Sequence, residues 1–187
     1  MKRAVFLDRD GVLNRAFNRE GRPVPPASVE DFEILPGVPT ALRALSRAGL
    51  LLIVVTNQPD VARGTQNRQV VDAMHSLLRA KLPIDDIRVC WKSDSSCYKP
   101  KPGMLLAAAR DWGIHLPSSY MVGDRWRDVG AGHAAGCYTI LVGDGYDETI
   151  SPPPDARCAD LQESAKLILS TFRSSEKFSS VGTLHVE

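Results

Sequence analysis

Two carboxylates one residue apart, Asp8 and Asp10, follow the short apolar run Ala4-Val5-Phe6-Leu7 and precede Gly11. In an extended segment residues i and i+2 project to the same side, so both acids can converge on one point above the end of that run. Gly11 permits a sharp turn there. Thr56 and Asn57 close a second apolar run with a hydroxyl and an amide suited to phosphate oxygens. Gly123-Asp124 closes another and is followed by Asp128, and Lys99 stands in Lys-Pro-Lys-Pro-Gly just ahead of a helix pattern. Such a set of acids, hydroxyl and ammonium can hold Mg²⁺ through oxygen ligands and cradle a phosphoryl group. Taken singly, each piece is ordinary. Asp-x-Asp-Gly is a common turn, Thr-Asn a helix-cap signal and a single lysine a solvated charge. Their order, each at the end of a strand pattern, makes the functional reading the better one.

The elements that must position these groups are legible from periodicity. Apolar runs at Ala4 to Leu7, Leu50 to Val55, Ile87 to Trp91, Tyr120 to Val122 and Tyr138 to Val142 read as strands. Helical patterns lie between them at Val38 to Ala48, Asn67 to Leu82, Pro102 to Trp112 and Arg127 to Ala135, with a last one near Asp160 to Phe172. Gly49, Gly113 and Gly136 each follow a helix pattern, where a C-terminal cap needs a left-handed residue. Strands that are apolar throughout imply a parallel sheet covered on both faces, an α/β doubly wound, Rossmann-like architecture with its site at the carboxyl ends of the strands. Residues 14 to 36 read as a long polar loop bearing prolines. One domain over residues 1–173 is expected, with 174–187 as a disordered Ser-rich tail.

Composition narrows the partners. A chain of 187 residues with 43% hydrophobic and 24% charged residues can bury one α/β core. A formal net charge of +1 gives no electrostatic case for nucleic acid or an anionic membrane. The apolar run after Met1-Lys2-Arg3 breaks at Asp8, too early for export or for spanning a bilayer, so a cytoplasmic location is expected. In that compartment the four cysteines should stay reduced, and Cys137 reads as a small core residue. No long exposed apolar face is evident, and a monomer is expected.

Together the motifs resemble the haloacid dehalogenase superfamily of phosphatases, over nearly the whole chain to about Val142. The resembling pieces are Asp8-Arg9-Asp10-Gly11-Val12-Leu13-Asn14, Thr56-Asn57, Lys99, and Gly123-Asp124 with Asp128. The resemblance implies Asp8 as nucleophile, Asp10 as general acid and then base, and Thr56 and Lys99 as stabilisers of the transferring phosphoryl. It implies Mg²⁺ held by Asp8, the Asp10 carbonyl and Asp124, with Asp128 supporting the metal shell. These roles are chemically coherent. A carboxylate is a weak nucleophile, so the phosphoryl charge must be neutralised, and two acids in different environments can divide acid and base work.

Phe6-Leu7-Asp8-Arg9-Asp10-Gly11-Val12-Leu13-Asn14, the stretch Val54 to Gly64 and Lys99-Pro100-Lys101-Pro102-Gly103-Met104 look like the heptose-bisphosphate and histidinol-phosphate phosphatase branch. Within it the heptose 1,7-bisphosphate 7-phosphatases are most similar. Removal of the 7-phosphate from D-glycero-D-manno-heptose 1,7-bisphosphate is the implied reaction. Histidinol phosphate or another sugar monophosphate is the alternative, and an inactive binding module a more distant one. Too little chain surrounds the first motif for a lid domain, so a capless enzyme is implied. Asn57, Gln58, Tyr98 and Arg125 become candidate substrate contacts, Arg63 a weaker one, and Trp126 a residue that could line the site. Relatives carry a four-ligand zinc loop that here reads Cys90-Trp91-Lys92-Ser93-Asp94-Ser95-Ser96-Cys97-Tyr98. Two cysteines are too few for a structural Zn²⁺ site, so zinc is not expected, and Cys90 and Cys97 read as free thiols. Tyr98 stands where the resemblance implies a distal-phosphate arginine, so Lys92 or Lys101 would have to substitute for it.

Overall fold

The computed structural model describes residues 1–19, 22–146 and 148–179. A single six-stranded parallel sheet organises the chain. In chain order its strands are β1 (Ala4–Leu7), β4 (Leu51–Asn57), β5 (Asp86–Cys90), β6 (Tyr120–Gly123), β7 (Tyr138–Val142) and β8 (Ala156–Cys158). In space they run β5-β4-β1-β6-β7-β8, so the first strand lies in the middle and the chain winds outward from it in both directions. A separate antiparallel hairpin, β2 (Phe17–Arg19) with β3 (Arg22–Val24), stands between β1 and the first helix.

Both faces of the sheet are covered, which is why its central strand β1 is apolar at every position. All four residues of β1 are fully buried. Val5 and Leu7 point into a core with Leu42 and Leu45 of α1 (Val38–Arg47) and Ile168 of α6 (Leu161–Ser179). Ala4 and Phe6 point the other way, against Leu105 and Ala108 of α4 (Gly103–Trp112) and Ala131 of α5 (Trp126–Ala135). Each large side chain so buried contributes about 1.5–3 kcal/mol of hydrophobic stabilisation, enough to fix the register of a four-residue strand. The remaining helices, α2 (Pro59–Ala62) and α3 (Arg68–Lys81), connect β4 to β5. Asn67 caps α3 by accepting from the Gln69 amide, and Gly113 and Gly136 end α4 and α5 in the left-handed conformation.

The α/β, doubly wound, single-domain architecture is the expected one, with corrections at its margins. Residues 14 to 36 are not all loop, because they contain the β2–β3 hairpin. Strand β8 is only three residues long, carries the charged Arg157 at its centre and lies on the sheet edge, so it has no apolar run to betray it. Part of the tail expected to be disordered is helical, since α6 continues through Ser179. Extending an existing helix costs far less than nucleating one. Residues 180–187 of that expected tail lie outside the described residues. Among the described residues, no helix is long and apolar enough to cross a membrane.

Candidate active site

The carboxyl ends of β4, β1 and β6 are neighbours in the sheet, and they deliver Thr56, Asp8 and Asp124 to one place. Asp128 rises from the first turn of α5, and Lys99 reaches in from the loop before α4. Lys99 Nζ is the hub. It donates to Asp8 Oδ1 at 2.7 Å, Asp128 Oδ1 at 2.6 Å and the Val55 carbonyl at 2.8 Å, and its side chain is only 2% exposed. Burial pulls the Lys99 pKa down, but the adjacent Asp128 and Asp8 carboxylates outweigh it and hold the ammonium above the ordinary lysine range.

One lysine cannot balance the acids around it. Carboxylate oxygens of Asp8, Asp124 and Asp128 lie within 4.8 Å of one another. Both Asp124 oxygens are buried and neither accepts a well-formed hydrogen bond, with only the Tyr146 hydroxyl nearby to ease the charge. Burial, reinforced by Asp8 and Asp128, raises the Asp124 pKa well above the carboxylate range. Burial also pushes Asp8 up, to about 7, against the pull of Lys99. Space for this crowding comes from glycine: a Cβ on Gly11, at φ +91°, would lie 1.9 Å from Asp124 Oδ2. Asp128 is already engaged on both oxygens, by Lys99 and by the Arg125 amide at 3.1 Å.

Asp10 belongs to a different network. Arg9 donates to both its oxygens at 2.9 Å, Asn14 to Oδ1 at 3.0 Å and Gln58 to Oδ2 at 2.9 Å. Arg9 is fully buried, and its Nη1 lies 3.1 Å from Nε2 of His75. Burial, with Arg9 beside it, lowers the His75 pKa to about 4, so the ring is neutral and accepts from the guanidinium through Nε2. The two carboxylates of the Asp-x-Asp motif therefore border one cavity but do not share partners.

That cavity, of about 630 Å³, is lined by Asp8, Asp10, Thr56, Lys99, Asp124 and Asp128 at its floor. Pro23, Val24 and Pro25 of the hairpin segment and Arg63, Tyr98, Arg125, Arg127, Tyr146 and Glu148 form its walls. A larger hollow of about 870 Å³, beside Phe32, Ile34 and Leu77, holds none of the clustered acids.

Comparison with known proteins agrees with this geometry. A HAD-hydrolase-like family model matches residues 96–164. The D-glycero-beta-D-manno-heptose-1,7-bisphosphate 7-phosphatase of Haemophilus influenzae is 37% identical over 149 residues, which cover 72% of this chain and 78% of that protein. The chain belongs to the haloacid dehalogenase superfamily. A second superfamily relative, the D-glycero-D-manno-heptose-1,7-bisphosphate 7-phosphatase of Thermosynechococcus vestitus, is 34% identical over 79% of this chain and 82% of its own length. Among solved structures, the D,D-heptose 1,7-bisphosphate phosphatase of B. bronchiseptica, complexed with magnesium and phosphate, superposes with a TM-score of 0.78 at 30% identity. That match covers 91% of this chain and 99% of the other. This haloacid dehalogenase member is thus a phosphatase that hydrolyses phosphomonoesters, and phosphatases of the superfamily use Mg²⁺. The residues fit such an ion: oxygen-only donors, an excess of negative charge and a buried carboxylate with no other partner suit a hard divalent cation.

The remaining sequence-derived candidates fall into place unevenly. Thr56 is 1% exposed and accepts from Gln58 Nε2 at 3.0 Å. Gln58 is buried and joins Thr56 to Asp10, an internal strut more than a contact surface. Asn57 donates to the Lys99 carbonyl and accepts from its amide, both at 3.1 Å, and so locks the lysine backbone. Arg125 is paired with Glu148, and Arg63 with Asp60 at 3.1 Å. Trp126 is not part of the cavity wall but backs Arg127, whose guanidinium carbon lies 5.4 Å from its ring centroid.

Two expectations are corrected. Cys90 and Cys97 are not free thiols. They are joined as a disulfide, because the shortened loop turns back on β5 and brings their Cα atoms to 5.6 Å. Nor do Lys92 and Lys101 replace a distal arginine. Lys92 is exposed outside the cavity, and Lys101 spends its ammonium on the carbonyls of Asp94 and Ser95. Arg9, His75, Arg127, Tyr146 and Glu148 escaped the sequence reading. Only Arg9 carried a signal there, as a charged residue held between two acids.

Proposed function

We propose that this phosphatase removes the 7-phosphate of D-glycero-D-manno-heptose 1,7-bisphosphate through a phosphoryl-aspartate formed on Asp8. The observation that carries the reading is the union of Asp8, Lys99 and the unpartnered Asp124 at the floor of one cavity, in a chain similar over most of its length to heptose-bisphosphate phosphatases.

Asp8 attacks phosphorus through Oδ2, since Lys99 occupies Oδ1. The bond from phosphorus to the sugar oxygen breaks, and Asp10 delivers a proton to that oxygen. Asp10 then takes a proton from the water that cleaves the acyl phosphate, restoring Asp8. Arg9, Asn14 and Gln58 hold the Asp10 carboxylate at the cavity edge, where it can exchange a proton with the substrate oxygen or water. Lys99 and the Thr56 hydroxyl offset charge on the phosphoryl oxygens. Mg²⁺, held by Asp8, Asp124 and the Asp10 carbonyl with Asp128 behind them, would supply further neutralisation of that charge. A cavity of about 630 Å³ suits a small phosphorylated substrate, and a monomeric enzyme is part of the same proposal.

The test is Mg²⁺-dependent phosphate release from a panel of sugar bisphosphates and monophosphates, including histidinol phosphate, with Asp8→Asn as control. Turnover of the heptose bisphosphate that disappears in the variant is the expected result. Release from monophosphates alone would keep the chemistry and displace the substrate. Release that persists in Asp8→Asn would overturn the nucleophile.

A further inference from the structure

Four cations line the cavity, and three of them are spoken for. Lys99 is held by Asp8 and Asp128. Arg125 pairs with Glu148 through Nε at 3.1 Å and through Nη2. Arg63 pairs with Asp60. Arg127 is the exception: among the described residues it forms no ion pair, although its side chain lines the same space. Neutral groups hold it instead. Nη1 donates to the Tyr98 hydroxyl at 3.1 Å, and the guanidinium carbon lies 5.5 Å from the Tyr98 ring centroid and 5.4 Å from that of Trp126. Two aromatic rings attract the charge without cancelling it. The single hydrogen bond uses Nη1, which leaves Nε and Nη2 as a planar two-donor fork, the geometry that matches two oxygens of a phosphate.

We propose that Arg127, presented by Tyr98 and Trp126, binds the second, non-reacting phosphate of a sugar bisphosphate. This rests on the bisphosphate reading above and names the group that would recognise it. Tyr98 is then a positioning residue: its neutral phenol fixes the guanidinium and leaves the positive charge for the ligand. A carboxylate at that position would have quenched it.

The experiment compares KM and kcat for D-glycero-D-manno-heptose 1,7-bisphosphate and the 7-monophosphate of the same sugar, in wild type, Arg127→Ala, Arg127→Lys and Tyr98→Phe. Loss of one charge-assisted fork should raise KM for the bisphosphate roughly 10- to 100-fold in Arg127→Ala, with kcat within about 3-fold. The wild-type preference for the bisphosphate over the monophosphate should shrink by the same factor. Arg127→Lys should recover part of the loss, and Tyr98→Phe, which keeps the ring and loses the acceptor, should cost roughly 3-fold. An unchanged bisphosphate KM in Arg127→Ala, or an equal rise for both sugars, overturns the inference while leaving the substrate reading intact. Wild-type protein that turns over neither sugar, or does not prefer the bisphosphate, sinks the substrate reading and the subsite with it.

Discussion

Asp8 and Asp10 stand one residue apart and live in opposite electrostatic circumstances. Asp8 shares one buried lysine with Asp128 and faces Asp124, which has no cation of its own and only the Tyr146 hydroxyl beside it. Asp10 is saturated by Arg9, Asn14 and Gln58, with His75 supporting the arginine from behind. The first network is unfinished and gains by taking up a cation or a phosphoryl group. The second is complete and gains nothing, which suits a group whose task is to hold one carboxylate still. A deficit of partners marks where ligand goes, and a surplus marks what positions it.

Four substitutions would break or sharpen that contrast. Lys99→Met removes the hub of the unfinished network and leaves Asp8 and Asp128 buried without a cation. A loss of about 3–5 kcal/mol in denaturant unfolding without metal is expected, along with activity. Arg9→Gln attacks the finished network. It should cost about 1–3 kcal/mol, because a partly buried carboxylate loses its charged donor, and lower kcat by roughly 10- to 100-fold with little change in KM. A purely structural Arg9 would leave kcat of the folded fraction unaltered.

The pH dependence of the second network has a definite sign. The folded His75 pKa lies near 4, below its ordinary value of 6.5, so the unfolded chain binds a proton first on acidification. The groups facing the ring are Arg9, Asp10, Asp72 and Arg79. Stability should therefore fall as pH drops from 6.5 toward 4, by on the order of 2 kcal/mol more in wild type than in His75→Gln. Parallel curves for the two proteins would remove His75 from the account. Asp124→Asn should show the smallest and most telling change. Without metal, near pH 8, it should be more stable than wild type by about 1 kcal/mol, because a repelled buried charge is gone. Added Mg²⁺ should raise the thermal midpoint of wild type and leave that of the variant in place.

Much of this contrast was open to a sequence reader, and the limit of legibility has a physical form. Apolar strands announce themselves, so β1 and β7 coincide with their expected bounds, and the residues at strand ends follow from them. Asp8, Thr56 and Asp124 follow in that way, Lys99 and Asp128 from the helix starts beside them, and the five do meet. Strand alternation would turn Arg9 away from both acids. It folds back on Asp10 instead, since the chain has left the strand by then and turns at Gly11. Arg127 and Tyr98 meet across 29 positions of chain, and no local pattern encodes that pairing. Cys90 and Cys97 were judged by compartment and ligand number, whereas the return of the loop on β5 is what decided their bond.

The order of the strands in space has a consequence for synthesis. A ribosome that has released the chain only as far as Lys99 has supplied Asp8, the proposed nucleophile, with Thr56 and Lys99, but not Asp124 or Asp128. Strand β6, which brings the missing acids, must also pair directly with β1. Chemistry is thus withheld from the nascent chain until the sheet closes around its first strand, and phosphate release would serve as a reporter of completed folding.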